Sequence, residues 1–258
     1  FALLDTHLAM DADDLAVRLV VIAALFALAV LWYRETTLDG SATFAAALVG
    51  FVTWDIGGWT WLLAPAALYF GYTVLWPSTA RRNAEAGDTD SGASEPDAGA
   101  SDTSLPSIHT VHNVFGVASV GLGWLFLSVA VDDPALIYPY TLAYAGYLAL
   151  IGIERLRAHG QTISTVWALG SSTLKSTTAL LLPFLFVEGL GLHLVPLWGG
   201  LLLSVALAAA AYLRWPHPFE EGDSEFLIHV RRAVLVTATS ALGWPLLWLC
   251  TQLGLLSG

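Results

Sequence analysis

A single lysine, Lys175, follows the polar run Gly170-Ser171-Ser172-Thr173. An ammonium beside several hydroxyls can bind phosphate, and Arg155 and Arg157 add two cations nearby in sequence. Asp39 stands before Gly40-Ser41-Ala42-Thr43, where a carboxylate either caps a helix or contacts magnesium or a nucleotide. His109 and His112 are three apart, so a helix would turn both imidazoles to one face, as a metal site needs, and paired histidines also suit a b-type haem. The plainer role for these histidines, and for His193, is polar structure at a boundary. Asp55 beside Gly57-Gly58 is expected to be a solvated turn carboxylate, and Arg18 a cation reaching out of a helix end. The one cysteine, Cys250, lies in an apolar run, which suits a small core residue and excludes a disulfide framework. No Ser/His/Asp order, phosphate loop or Gly-rich dinucleotide fingerprint occurs.

The elements that must carry these residues are set by composition. Of 258 residues, 56% are hydrophobic and 12% charged, the mean hydropathy is +0.67 and the net charge is −11. A soluble domain carries about 25% charged residues, so this chain lacks the polar surface of a water-facing globule. The negative balance also argues against nucleic-acid binding. The apolar runs are continuous at helix length for a bilayer core of about 30 Å, not alternating as in a barrel. One lysine against nine arginines, with an acidic surplus, is the composition expected of a salt-loving archaeal source. Residues 1–14 hold four Asp and no Lys or Arg, so they do not read as the basic start of a signal peptide. With Met10 the only methionine, either the chain starts there or an upstream segment is missing.

The chain reads as an all-α polytopic membrane bundle of eight apolar segments: Leu15–Tyr33, Ser41–Ile56, Trp59–Trp76, Val114–Val131, Ala135–Ile153, one within Thr162–Val187, Leu192–Leu213 and Ala233–Cys250. Each approaches the roughly 17–25 residues a crossing takes. Three fall in 1–76 and five in 109–258, joined by an acidic linker, 77–108, predicted to be disordered. Placing the N-terminus outside puts Arg34, Arg81, Arg82, Arg155, Arg157, Arg214, Arg231 and Arg232 in inner connections, as the positive-inside rule requires, and the C-terminus outside. A sixth helix that begins near Thr162 would put Lys175 about mid-membrane, but the polar run Gly170–Thr173 makes a poor lipid-facing start, so the helix is predicted to begin near Thr173. That puts Lys175 at the inner interface, where its plainer role is a snorkelling anchor, and Glu188 deeper. Prolines 65, 139, 183, 196 and 245 fall inside apolar segments and need neighbours to satisfy the carbonyls they free. Ser119 and Gly123 form a small pair at four-residue spacing, with Gly116 and Gly121 close by, suited to close helix approach.

Three stretches together resemble the CTP-dependent prenol kinases, the membrane family that includes phytol and dolichol kinases. They are Leu38-Asp39-Gly40-Ser41-Ala42 through Ala46-Ala47-Leu48-Val49-Gly50 to Gly57-Gly58-Trp59; Asn113 and Gly116 opening a helix; and Ala149-Leu150-Ile151-Gly152 with Arg155 and Gly160, then Gly170 to Ser176. This chain departs from the family pattern in three ways. Arg155 does not directly follow Gly152, Tyr144-Ala145-Gly146-Tyr147 carries no carboxylate, and Lys175 stands where the family has glutamate. The resemblance implies phosphorylation of an isoprenoid alcohol by CTP at the inner membrane face, or a diverged relative without that activity. Arg155, Arg157, Ser171 and Thr173 would hold nucleotide phosphates, Lys175 and Asp39 would be catalytic, and Asp39 would hold Mg²⁺. A transporter or permease-like protein, on the five prolines and few charges, and a b-haem protein through His112 and His229 are the competing readings.

Overall fold

The computed structural model describes residues 12–33, 40–75, 111–158, 165–184, 194–214 and 225–254. Among them every regular element is a helix: α1 (Ala12–Tyr33), α2 (Gly40–Gly57), α3 (Trp59–Leu75), α4 (Val111–Val131), a 3-10 turn (Pro134–Leu136), α5 (Ile137–Ala158), α6 (Thr165–Phe184), α7 (Leu194–Arg214), α8 (Glu225–Ala241) and α9 (Gly243–Gln252). Each predicted apolar segment coincides with a helix except the eighth, which breaks between α8 and α9. Pro245 causes the break, because it has no N–H for the Ala241 carbonyl and its ring clashes there. The chain instead bonds Leu242 N to Thr239 O at 3.2 Å and resumes with Leu246 N to Leu242 O at 3.3 Å. By length and composition three helices can cross a bilayer, at Gly40–Gly57, Val114–Val131 and Pro134–Ile153. The predicted linker at 77–108 lies outside the described residues.

Short turns fix the antiparallel order. Gly58 closes α2 with φ +77° and gives its N–H to Trp54 O at 2.8 Å, a left-handed conformation that glycine alone adopts freely. At the far end of α4, Asp132 takes φ 53° and Asp133 N reaches back to Ser128 O at 2.9 Å, a Schellman closure. Asp133 then caps the 3-10 turn through Ala135 N at 2.9 Å, with Pro134 in its first position.

α5 occupies the centre of the bundle. Helices α4, α8, α7, α6 and α3 follow one another around it, α2 bridges α3 and α4 on the outside, and α9 covers its start. As a result 94% of the Pro134–Ile153 window is buried, which a helix apolar on every side permits. Its tyrosines are the exception to that apolarity, and they reach neighbouring backbones. Pro65 leaves the Trp61 carbonyl without its helical N–H, and Tyr140 OH donates to that oxygen at 2.9 Å. Tyr147 OH donates to Gly116 O at 2.6 Å. The Trp61 and Tyr140 rings meet edge-on at 4.7 Å, Tyr140 and Tyr144 at 5.0 Å. Gly121 admits the Tyr144 ring, since a Cβ there would stand 2.5 Å from it.

Within the small-residue set of α4 the close approach falls at Gly121, while the Ser119/Gly123 pair faces outward. Ser119 and Gly123 are exposed, and nothing lies within 4 Å of where a Gly123 Cβ would sit. The sixth helix also differs from expectation. It starts at Thr165 and runs unbroken through Gly170–Thr173, with Ser172 and Thr173 turned inward, so Lys175 lies near the middle of the helix rather than at its inner end.

Tyr140→Phe is expected to destabilise the bundle by about 1–3 kcal/mol, the penalty for a buried carbonyl left without a donor. In a Pro65→Ala background residue 65 supplies the missing N–H, so the same change should cost clearly less. Thermal unfolding of the four proteins in detergent measures this coupling.

Candidate functional site

Chain order gathers the C-termini of α1, α3, α5 and α7 and the N-termini of α2, α4, α6 and α8 at one end of the bundle. Arg155 and Arg157 stand in the last turns of α5, Arg214 ends α7, and Arg231 and Arg232 lie in the second turn of α8. Among the described residues only Arg18 carries a positive charge at the opposite end. There it is paired with Asp55 at 2.7 Å, the two side chains 23% and 21% exposed. This corrects the expectation of a snorkelling cation and a solvated carboxylate. The pair ties α1 to α2, helped by the Phe26 and Phe44 rings at 5.4 Å. Both residues lie a few positions from the same predicted outer boundary, and that matching depth was the available signal.

The depth of Lys175 follows from one packed layer. A Cβ on Gly71 of α3 would lie 3.0 Å from Leu148 of α5 and 3.2 Å from Ala179 of α6. At 1.5 Å per residue, Lys175 stands about 6 Å from that layer toward the cation-rich end, level with Leu75 and Gly152. Arg155 stands about 10 Å from it, seven residues past Leu148 on the same helix face and level with Ser171 and Ser172.

Within α6 the named residues divide. Lys175 is exposed, and Ser171, four residues earlier and so on the same side, is half-buried and donates to Ala168 O at 3.3 Å. Thr173 is turned about 200° from Lys175 and is buried at 5% exposure. The structure thus places Ser171 and Lys175 one turn apart on the same side of α6 and sends Thr173 inward. Arg157, two residues beyond Arg155, lies on another face of α5. Asp39 lies outside the described residues; the helix it precedes packs on α3, which stands between α2 and α6. Glu188, His109 and His193 are outside the described residues as well. His229 packs on Gly116, one turn from the His112 position, on contacting helices.

The set around Lys175 suits an anion. Its groups are an ammonium and a hydroxyl, although Glu154 of α5 and Glu225 of α8 belong to the same end of the bundle. Among the described residues no three His, Cys, Asp or Glu side chains converge as metal ligands. The Mg²⁺ that the resemblance implies therefore finds no fitting donor set among these residues, and no reaction step is derived through it. The inward hydroxyl face of α6 escaped the sequence reading. Its signal is the pair of four-residue spacings Ser172/Ser176 and Thr173/Thr177, set away from Lys175.

Reversing the charges at the far end is the direct test of the α1 anchor. Arg18→Ala and Asp55→Ala should each lower stability by about 1 kcal/mol. Arg18→Asp combined with Asp55→Arg should recover most of the loss in the unfolding midpoint. A comparison with protein-family models, with curated proteins and with solved structures finds no match to this chain.

Proposed function

We propose that this chain is a multi-pass membrane protein of eight crossings, with its cation-rich end in the cytoplasm, that phosphorylates an isoprenoid alcohol as the prenol kinases do. Three helices meet the length and composition of a crossing. The remaining crossings, and the orientation with both termini outside, rest on the sorting of cations to one end. The observation that supports the reading is the placement of Lys175 and Ser171 one turn apart on the same side of α6, on the cation-rich side of the Gly71 layer. In this reading that side lies where lipid meets water and a prenol presents its alcohol.

In this reading Lys175 and Arg155 hold the phosphates of CTP at that boundary, with Ser171 as a hydroxyl partner. The γ-phosphoryl group passes to the alcohol oxygen, a new P–O bond replaces the one to the β-phosphate, CDP leaves, and the hydroxyl proton goes to solvent water. The exposed apolar flanks of α1 and α4, including Val20, Phe115 and Phe126, face the acyl chains among which an isoprenoid tail moves.

Membranes containing the chain should transfer label from γ-labelled CTP to phytol or geranylgeraniol. Lys175→Ala should reduce the transfer about 100-fold, the usual loss on removing one group that stabilises developing charge. Transfer that is absent from the parent, or unchanged in the variant, would falsify the reading. The orientation has its own readout: reporter tags at Ala100 and after Gly258 should report opposite compartments, and agreement between them would overturn it.

A further inference from the structure

The outer side of α6 joins two chemistries that seldom share a surface. Val166, Trp167 and Leu174 are 82%, 66% and 52% exposed, and Gly170, Lys175 and Thr178 are exposed with them. The other side of α6 packs on α3, α5 and α7, so this strip is the outside of the bundle. Such apolar surface belongs against lipid chains rather than water, yet the strip holds the single lysine of the chain.

Among the described residues Lys175 has no hydrogen bond or ion pair, in contrast to Arg18, which Asp55 neutralises at 2.7 Å. Its neighbours offer no substitute. α3, α6 and α7 carry no carboxylate over their described lengths. α5 carries Glu154, about 120° round the helix from Leu148, the residue that meets α3 in the Gly71 layer.

An ammonium left in hydrocarbon without an anion is costly. From a Cα about 6 Å from the Gly71 layer, the four-carbon stem carries the charge one further turn toward the cation-rich end, beside Ser171. Ser171 keeps a bond of 3.3 Å to Ala168 O, weak enough for the hydroxyl to leave it and donate to an anion. One turn beyond stands the exposed Trp167, the ring type that sits among headgroups. On the other side of the ammonium lies Leu174. The order along α6 is indole, then hydroxyl with ammonium, then apolar surface. A phospholipid presents headgroup, phosphate and acyl chain in that same order. A free phosphate or a nucleotide would use the cation and leave the apolar strip uncovered, whereas one phospholipid covers both.

We infer that Lys175 and Ser171 form a site on the outer side of α6 for the phosphate of an acidic phospholipid of the inner leaflet. An acidic lipid suits it better than a zwitterionic one, because its phosphate has no cation of its own. The inference rests on reading the chain as membrane-spanning with its cation-rich end inward, and not on the phosphoryl step. Where both hold, lipid and CTP draw on one ammonium, and the charge of the leaflet regulates the transfer.

The test places the full chain in nanodiscs of phosphatidylcholine alone, or with an equal amount of phosphatidylglycerol, and counts by mass spectrometry the lipid each chain retains in detergent. The parent should retain phosphatidylglycerol in preference to phosphatidylcholine. Lys175→Gln should lower that retention about fivefold, and Lys175→Arg should keep it. Arg214→Gln, which removes another exposed cation at the same end, should leave it unchanged. Equal losses from Lys175→Gln and Arg214→Gln overturn the inference, since they mean a general attraction of surface cations to an acidic leaflet. Full retention by Lys175→Gln overturns it too. So does a Lys175-dependent stabilisation by CTP that phosphatidylglycerol cannot compete away, which gives the ammonium to the nucleotide. Retention as described, with no label transfer from CTP in either disc, leaves this site standing and removes the kinase reading. Lys175-dependent transfer, with full phosphatidylglycerol retention by Lys175→Gln, does the reverse.

Discussion

Everything in this bundle is arranged around the complete enclosure of α5. In a lipid environment apolar helices gain nothing from the hydrophobic effect by meeting one another, so association rests on close packing and on hydrogen bonds between helices. α5 supplies both. Ala143, Ala145 and Ala149 are 0–1% exposed and let neighbouring backbones come near. Tyr140 and Tyr147 give their hydroxyls to carbonyls of α3 and α4. The tie to Trp61 is worth more than an ordinary interhelical bond because a proline has already removed the intrahelical alternative. A proline that would weaken an isolated α3 thus becomes a specific point of attachment to the centre.

The enclosure also separates two chemistries. At one end of the bundle Asp132 and Asp133 sit in a turn and a cap, and the one cation among the described residues there, Arg18, is paired with Asp55. The other end collects arginine and lysine on several helices. α6 repeats the division across its own axis, with an ammonium outward and hydroxyls inward over the same two turns.

Much of this was legible in the sequence, and the limits have a physical cause. The length of an apolar run reports how deep a residue lies, so the helix positions, the Gly57-Gly58 turn and the stop at Asp132-Asp133-Pro134 could be read directly. Which side of a helix faces inward cannot be read when every side is apolar. That is why the small residues of α4 could be assigned to an interface, but Gly121, which makes the contact, could not be told from Ser119 and Gly123. It is also why Gly170–Thr173 looked like a helix start: a polar run inside a membrane segment signals either an end or a partnered face, and only tertiary packing distinguishes them. The pairing of Arg18 with Asp55 needed two depths to be compared between helices rather than each residue being judged alone.

The bond from Tyr140 to Trp61 spans 79 positions of chain. At about 5–20 residues per second on the ribosome, the acceptor precedes its donor by roughly 4–16 s. During that interval α3 is already made, and its Trp61 carbonyl has neither a helical nor a tyrosine donor. Helices α6, α7 and α8, which complete the enclosure, emerge later still. The first three helices therefore wait for α5, with water the available partner for the exposed carbonyl.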